Sequence, residues 1–158
     1  MVSIRVYGIL IDEQKGVLVS DEYIRGNYYT KFPGGGLELG EGTRDCLKRE
    51  FMEEMNLAVE VKEHIYTTDF YQQSAFNQNH QILSIYYFVQ PLEAIRVPLR
   101  DQPFDFDEAQ LETYRQIHQT ETFRFIAFHQ FNADQLSLPI DKIVADWLVK
   151  NHLMQHDQ

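Results

Sequence analysis

The sequence predicts an α/β fold, a mixed sheet with helices packed on it. Runs of β-branched and aromatic residues recur along the chain, a well-delimited amphipathic helix interrupts them early, and a second amphipathic helix closes the chain. A length of 158 residues suits one domain, 1–158, with an ordinary core. Hydrophobic residues at 44% and charged residues at 24% are values of a globular rather than a disordered chain.

The elements follow in order. Residues 3–12 (SIRVYGILID) and 17–24 (VLVSDEYI) flank EQKG, a hairpin signal in which Gly16 supplies the positive φ of the loop. Residues 28–32 (YYTKF) predict a short third strand stopped by Pro33, and a PGGG turn follows. A helix is predicted over 43–55. Thr43 or Gly42 caps its start, and Asp45 complements the positive end of the dipole. Leu47, Phe51 and Met55 form its buried stripe, and Asn56 supplies a left-handed stop. Residues 58–71 and 80–95 predict long strands with a polar loop, QQSAFNQN, between them. The acidic, proline-punctuated PLRDQPFDFDEAQ predicts a mobile loop, 122–131 a strand, and 138–153 a final helix with Pro139 in its first turn.

A formal charge of −10 argues against a partner that is a nucleic-acid polymer, which needs a basic face. It leaves a phosphate ligand open, because bound metal reverses the local sign. The single cysteine, Cys46, rules out an internal disulfide and suits a reducing compartment. No stretch has the length of a membrane span, and the N-terminal apolar run is too short for a signal peptide. The expectation is a cytoplasmic protein that does not enter a membrane.

The chemistry gathers in FPGGGLELGEGTRDCLKREFMEEMNL, residues 32–57. At 100° per residue Glu50, Glu53 and Glu54 share an arc of about a quarter turn beside the buried stripe. Like charges at this spacing weaken a helix, and a cation at their centre gives the arrangement a reason. Clustered hard oxygens suit Mg²⁺ or Mn²⁺, both of which share coordination with substrate phosphates. The glycines let backbone approach a ligand closely, Glu41 closes the loop before the helix, and the planar fork of Arg49 can orient a carboxylate.

This spacing resembles the Nudix box: glycine, five residues, glutamate, seven residues, then Arg-Glu-apolar-x-Glu-Glu-x-Gly-apolar. Gly35, Glu41, Arg49, Glu50, Phe51, Glu53, Glu54 and Leu57 match, eight of nine defined positions, and Asn56 stands where the family has glycine. The resemblance implies an α/β/α sandwich and metal-dependent hydrolysis of a nucleoside diphosphate linked to another moiety. Glu50, Glu53 and Glu54 would ligate metal, with a carbonyl of Gly34 or Gly35. Glu50, Glu53 and Arg49 would be catalytic, and Glu41 would support the site. The implied partner is a small nucleotide-type substrate, and dimerisation is common in the family, so a homodimer is an open expectation.

Other residues carry weaker signals. Tyr28, Tyr29 and Phe32 flank the glycines, and a ring among them would offer a stacking platform for a base or sugar, although core packing accounts for most such aromatics. A late carboxylate, Glu108, Glu112 or Glu121, would be an additional site group, against the ordinary alternative of surface acidity. Cys46 reads as a filler, and His152 with His156 as an incidental helical spacing. Downstream motifs do not select a substrate: the first proline after the box is Pro91, and Tyr71 keeps a dinucleoside polyphosphate open. Nucleoside triphosphates and nucleotide sugars are the expected substrates. The rival expectation is a Nudix domain that binds a nucleotide without cleaving it.

Overall fold

In the computed structural model, residues 1–153 are described. The chain divides into two compact units, each assembled from two separate stretches: residues 1–10 with 33–96, and residues 11–32 with 97–158. Strand β1 (Val2–Asp12) runs from the first into the second. Both units are mixed α/β, and the described chain carries eight strands and three α-helices.

The first unit holds β4 (Gly34–Gly36), α1 (Thr43–Met55), β5 (Val59–Thr67) and β6 (Gln81–Pro91). Its sheet order is β5-β6-β1-β4, with β1 parallel to β6 from Val2↔Gln81 to Leu10↔Val89 and the other pairings antiparallel. Register shifts near His64 break the β5–β6 ladder. The α1 stripe is Leu47, Phe51 and Met55, all buried, with Cys46 beside them. Phe51 packs where a Cβ on Gly8 would stand, 2.7 Å from its ring, so Gly8 is the space that admits the helix to β1.

The second unit holds β2 (Gly16–Ile24), β3 (Asn27–Lys31), β7 (Leu99–Arg100), α2 (Glu108–Ile117), β8 (Gln119–Ile126) and α3 (Pro139–Asn151). Strand β2 pairs antiparallel with β3, with β8 and with the end of β1, and β7 joins β8 in parallel. Gly16 is required at its place: φ is +113°, and a Cβ there would lie 1.9 Å from the Ile126 carbonyl oxygen. Asp21 is fully buried and receives Arg124 Nε at 2.6 Å, the Thr30 hydroxyl at 2.7 Å and the Phe104 amide at 3.1 Å. A buried carboxylate with a charged partner and this many donors holds its place without an exposed lone pair.

Three expectations change. The triple glycine is strand β4, paired with Arg5–Tyr7, rather than a free turn; without side chains it fits where Gly34 comes within 2.1 Å of the Val6 carbonyl, measured from a built Cβ. The segment expected to be a mobile loop contains β7 and α2. Helix α2 starts at a reciprocal cap: Asp107 accepts from the Gln110 amide and Gln110 from the Asp107 amide. The last strand begins at Gln119, earlier than expected, and ends at Ile126. His156, one half of the helical histidine pair, lies outside the described residues.

Candidate active site

The box residues of the first unit are placed by β4, the loop 37–42 and α1. Gly42 is the N-cap of α1, and Asn56 closes it at φ 49°, ψ 44°, its amide donating to the Met52 carbonyl. That is the left-handed stop the missing box glycine would have made, and asparagine adopts it at low cost. The helix phase is thus fixed at both ends, and its anchored stripe turns Arg49 and Glu50 toward the glycine strand.

Arg49 is the hub. Its Nε and Nη2 donate to the two oxygens of Glu41 at 3.0 and 2.8 Å, a bidentate fork. Its Nη2 also donates to the Gly36 carbonyl at 3.0 Å. Its Nη1 donates to Glu50 Oε1 at 3.0 Å and Glu53 Oε2 at 3.2 Å, with Glu38 at 3.6 Å. Two helix carboxylates therefore converge on one positive nitrogen. Gly35 completes the geometry: a Cβ there would meet the Glu50 carboxyl carbon at 2.5 Å, so the carboxylate occupies the space that the absent side chain leaves.

The electrostatics follow from this hub. Hydrogen bonds from Arg49 first, then from the Glu38 amide, hold the Glu41 carboxyl down at about 2. Its hydrogen bonds to Glu41 first, and then to Glu50, push the Arg49 guanidinium above its ordinary value. Burial, and then the hydrogen bond to Glu41, push the Cys46 thiol up to about 12. A thiol held neutral is a packing group, which agrees with its expected role as filler.

The structure brings Glu41, Arg49, Glu50, Glu53 and Gly35 together. Glu54 is half-buried on the same helix. Among the described residues no three His, Cys, Asp or Glu side chains stand together as a metal-holding group; the carboxylates of Glu41, Glu50 and Glu53 are gathered on Arg49 instead. Sequence reasoning pointed to the carbonyls of Gly34 and Gly35 and missed Gly36, whose carbonyl accepts from both Arg49 and the Cys46 thiol. It also missed Glu38. Both sit inside the quoted motif, but three identical glycines carry no sign of which carbonyl faces the helix.

The remaining candidates belong to the second unit. Tyr28 is 54% exposed and stacks on Tyr23 with centroids 4.3 Å apart. Tyr29 is half-buried, cross-strand from Glu22. Phe32 is fully buried beside Phe131, so it presents no ring face to a ligand and is a core residue here. Glu108 and Glu112 are exposed on α2 and both pair with Arg115. Glu121, on β8, accepts from the Ser20 hydroxyl at 3.0 Å. Among the described residues no helix is long and apolar enough to cross a membrane.

Comparison with known families places this arrangement. The NUDIX domain family matches residues 1–137. The chain belongs to the Nudix hydrolase family. Solved structures agree at the level of fold. The E. coli ORF135 protein superposes with a TM-score of 0.61 at 15% identity, covering 92% of this chain and 86% of that one. A MutT protein from Methanosarcina mazei gives 0.61 at 11% identity, covering 99% and 93%. An ADP-ribose pyrophosphatase from Streptococcus suis gives 0.56 at 13% identity, covering 95% and 93%. No curated protein matches the sequence significantly.

Proposed function

We propose that this chain, acting as a single Nudix domain over 1–158, is a metal-dependent hydrolase of a pyrophosphate bond. Its substrate is a nucleoside diphosphate linked to another moiety, with nucleoside triphosphates and nucleotide sugars as the leading classes. The observation that carries this reading is the convergence of Glu50 and Glu53 on one cationic nitrogen beside a glycine strand. Carboxylates that share one cation can share another, and the donor set is of the hard oxygen type that takes Mg²⁺ or Mn²⁺. The Gly35 cradle supports the fit, because it keeps the Glu50 carboxylate against the backbone.

Glu50, Glu53 and Glu54 would hold the ion, with a glycine carbonyl of β4 completing the set. Bound there, the ion supplies neutralisation of the diphosphate and activation of water. The chain's own residues do the rest. The Arg49 fork keeps Glu41 ionised and fixed, and Glu41 in turn ties down the loop through the Glu38 amide. Arg49 holds Glu50 and Glu53 in register. The proton of the attacking water goes to a carboxylate oxygen of Glu50 or Glu53. A reducing, cytoplasmic setting belongs to the same reading, on the strength of a single cysteine that can form no internal disulfide.

The test is turnover of a panel of nucleoside triphosphates, nucleotide sugars and dinucleoside polyphosphates with Mg²⁺, with products identified, for the parent chain and for Glu53→Gln and Glu54→Gln. Loss of at least about tenfold in each variant is expected, since each removes a charge from the ligand set. Full turnover in both sinks the assignment. The rival reading is a Nudix domain that binds a nucleotide without cleaving it. Thermal stabilisation by a nucleotide with no product after prolonged incubation would establish it.

A further inference from the structure

Helix α2 differs from the other two helices in how it is attached. Helices α1 and α3 each sink several side chains fully into their unit, whereas α2 has no buried residue. What holds α2 is a small set of discrete contacts within the second unit. The Tyr114 ring lies on the Tyr23 ring with centroids 3.8 Å apart and planes 15° from parallel. The Tyr114 hydroxyl accepts from the Gly26 amide at 2.9 Å, and the His118 carbonyl accepts from the Arg25 amide at 2.9 Å. At the other end the Phe104 amide donates to Asp21, and Arg100 donates to Asp107 at 2.8 Å.

The segment is also tied within itself. Its reciprocal cap closes the start of the helix, and Arg115 bridges Glu108 and Glu112 along the outer face. Two of the four non-glycine residues with positive φ among those described, Phe104 at 57° and His118 at 59°, sit at its two ends. A left-handed backbone is unfavourable for L-residues and persists where surrounding contacts enforce it. A rotation at these two positions relieves that strain and carries the helix away with its internal bonds intact.

We infer that residues 104–118 form a strap that opens as one unit, with Phe104 and His118 as its pivots and Tyr114 as its latch. Opening separates the ring contacts of Tyr114 and Phe106 with Tyr23 and of Phe104 with Tyr28, and it frees one hydrogen-bonding site on the Asp21 carboxylate, but it withdraws no fully buried side chain of the strap. An element held by polar bonds and ring contacts, with no fully buried side chain of its own, belongs to the low-stability end of a protein's local opening spectrum.

Hydrogen exchange of the full chain, resolved by segment, tests this. The amides of 108–117 are expected to exchange together, about tenfold or more faster than those of α1 and α3. Tyr114→Ala raises that rate by about a further tenfold and leaves α1 and α3 unchanged, while Tyr114→Phe, which keeps the ring and loses the hydroxyl acceptor, raises it less. His118→Gly slows it a few-fold, because glycine accepts the left-handed backbone of the closed state. Exchange of α2 at the rate of α3 would overturn the proposal. So would rates graded inward from the helix ends, or a Tyr114→Ala effect spread equally over all three helices.

Discussion

At the scale of single residues the site is organised by a cation the chain itself provides. The Arg49 guanidinium touches Glu41, Glu50, Glu53 and the Gly36 carbonyl, so carboxylates that would repel one another are held in fixed positions around one cation. Glu41 releases its proton more readily in the folded protein, at about 2 against an ordinary 4.5. Its contribution to stability is therefore fully present above about pH 4.5 and is lost as pH falls toward about 2. Glu41→Gln should flatten the acid limb of a stability–pH profile measured between those values, and an unchanged limb would show that Glu41 does not carry it. Gly35→Ala places a methyl group where the Glu50 carboxylate lies, 2.5 Å from its carbon. The expected outcome is a folded protein with turnover down by about 10–100-fold, read by circular dichroism beside the activity assay. Much of this was legible in the spacing of Gly35, Glu41, Arg49, Glu50 and Glu53. The part played by Gly36 was not, because three identical glycines carry no sign of which carbonyl faces the helix.

At the scale of elements, α1 shows how a departure from the family pattern is accommodated. Asn56 takes the left-handed stop at φ 49°, and its amide and that of Leu57 close onto Met52 and Phe51. Asn56→Gly should be nearly neutral in stability, whereas Asn56→Val should cost about 1–2 kcal/mol in a denaturant titration, since a β-branched residue resists that backbone. Phe51→Ala should cost about 3–5 kcal/mol, because the ring is fully buried and fills the space over Gly8. Helix α1 was readable from its stripe and caps, and so were β1, β2, β5, β6 and α3. Helix α2 was not, because burial leaves no stripe in it and two prolines precede it; its one local signal, the Asp107–Gln110 cap, sits inside an acidic run that also fits a solvated loop. Strand β4 was hidden for a different reason. Glycine has no strand preference of its own, and only the approach of β1 to within contact of Gly34 makes the segment extended.

At the scale of the whole molecule, two units woven from alternating stretches of chain each carry a distinct electrostatic arrangement. The first has the Arg49 hub, and the second has the buried pair of Asp21 and Arg124. Asp21→Asn leaves the Arg124 charge withdrawn from water without its anion, and a loss of about 3–5 kcal/mol is expected in thermal or denaturant unfolding. The hub governs chemistry in the proposed reading, and the buried pair governs stability, so the two should separate cleanly in variants. The measurement that bears most directly on the central claim is Mg²⁺-dependent hydrolysis of the nucleotide panel, compared between the parent chain and Glu53→Gln, with products identified and the metal removed by chelator as a control. The account predicts pyrophosphate-bond cleavage by the parent chain, none after chelation, and at least about tenfold less by the variant. Cleavage that survives both chelation and the Glu53→Gln substitution would contradict it.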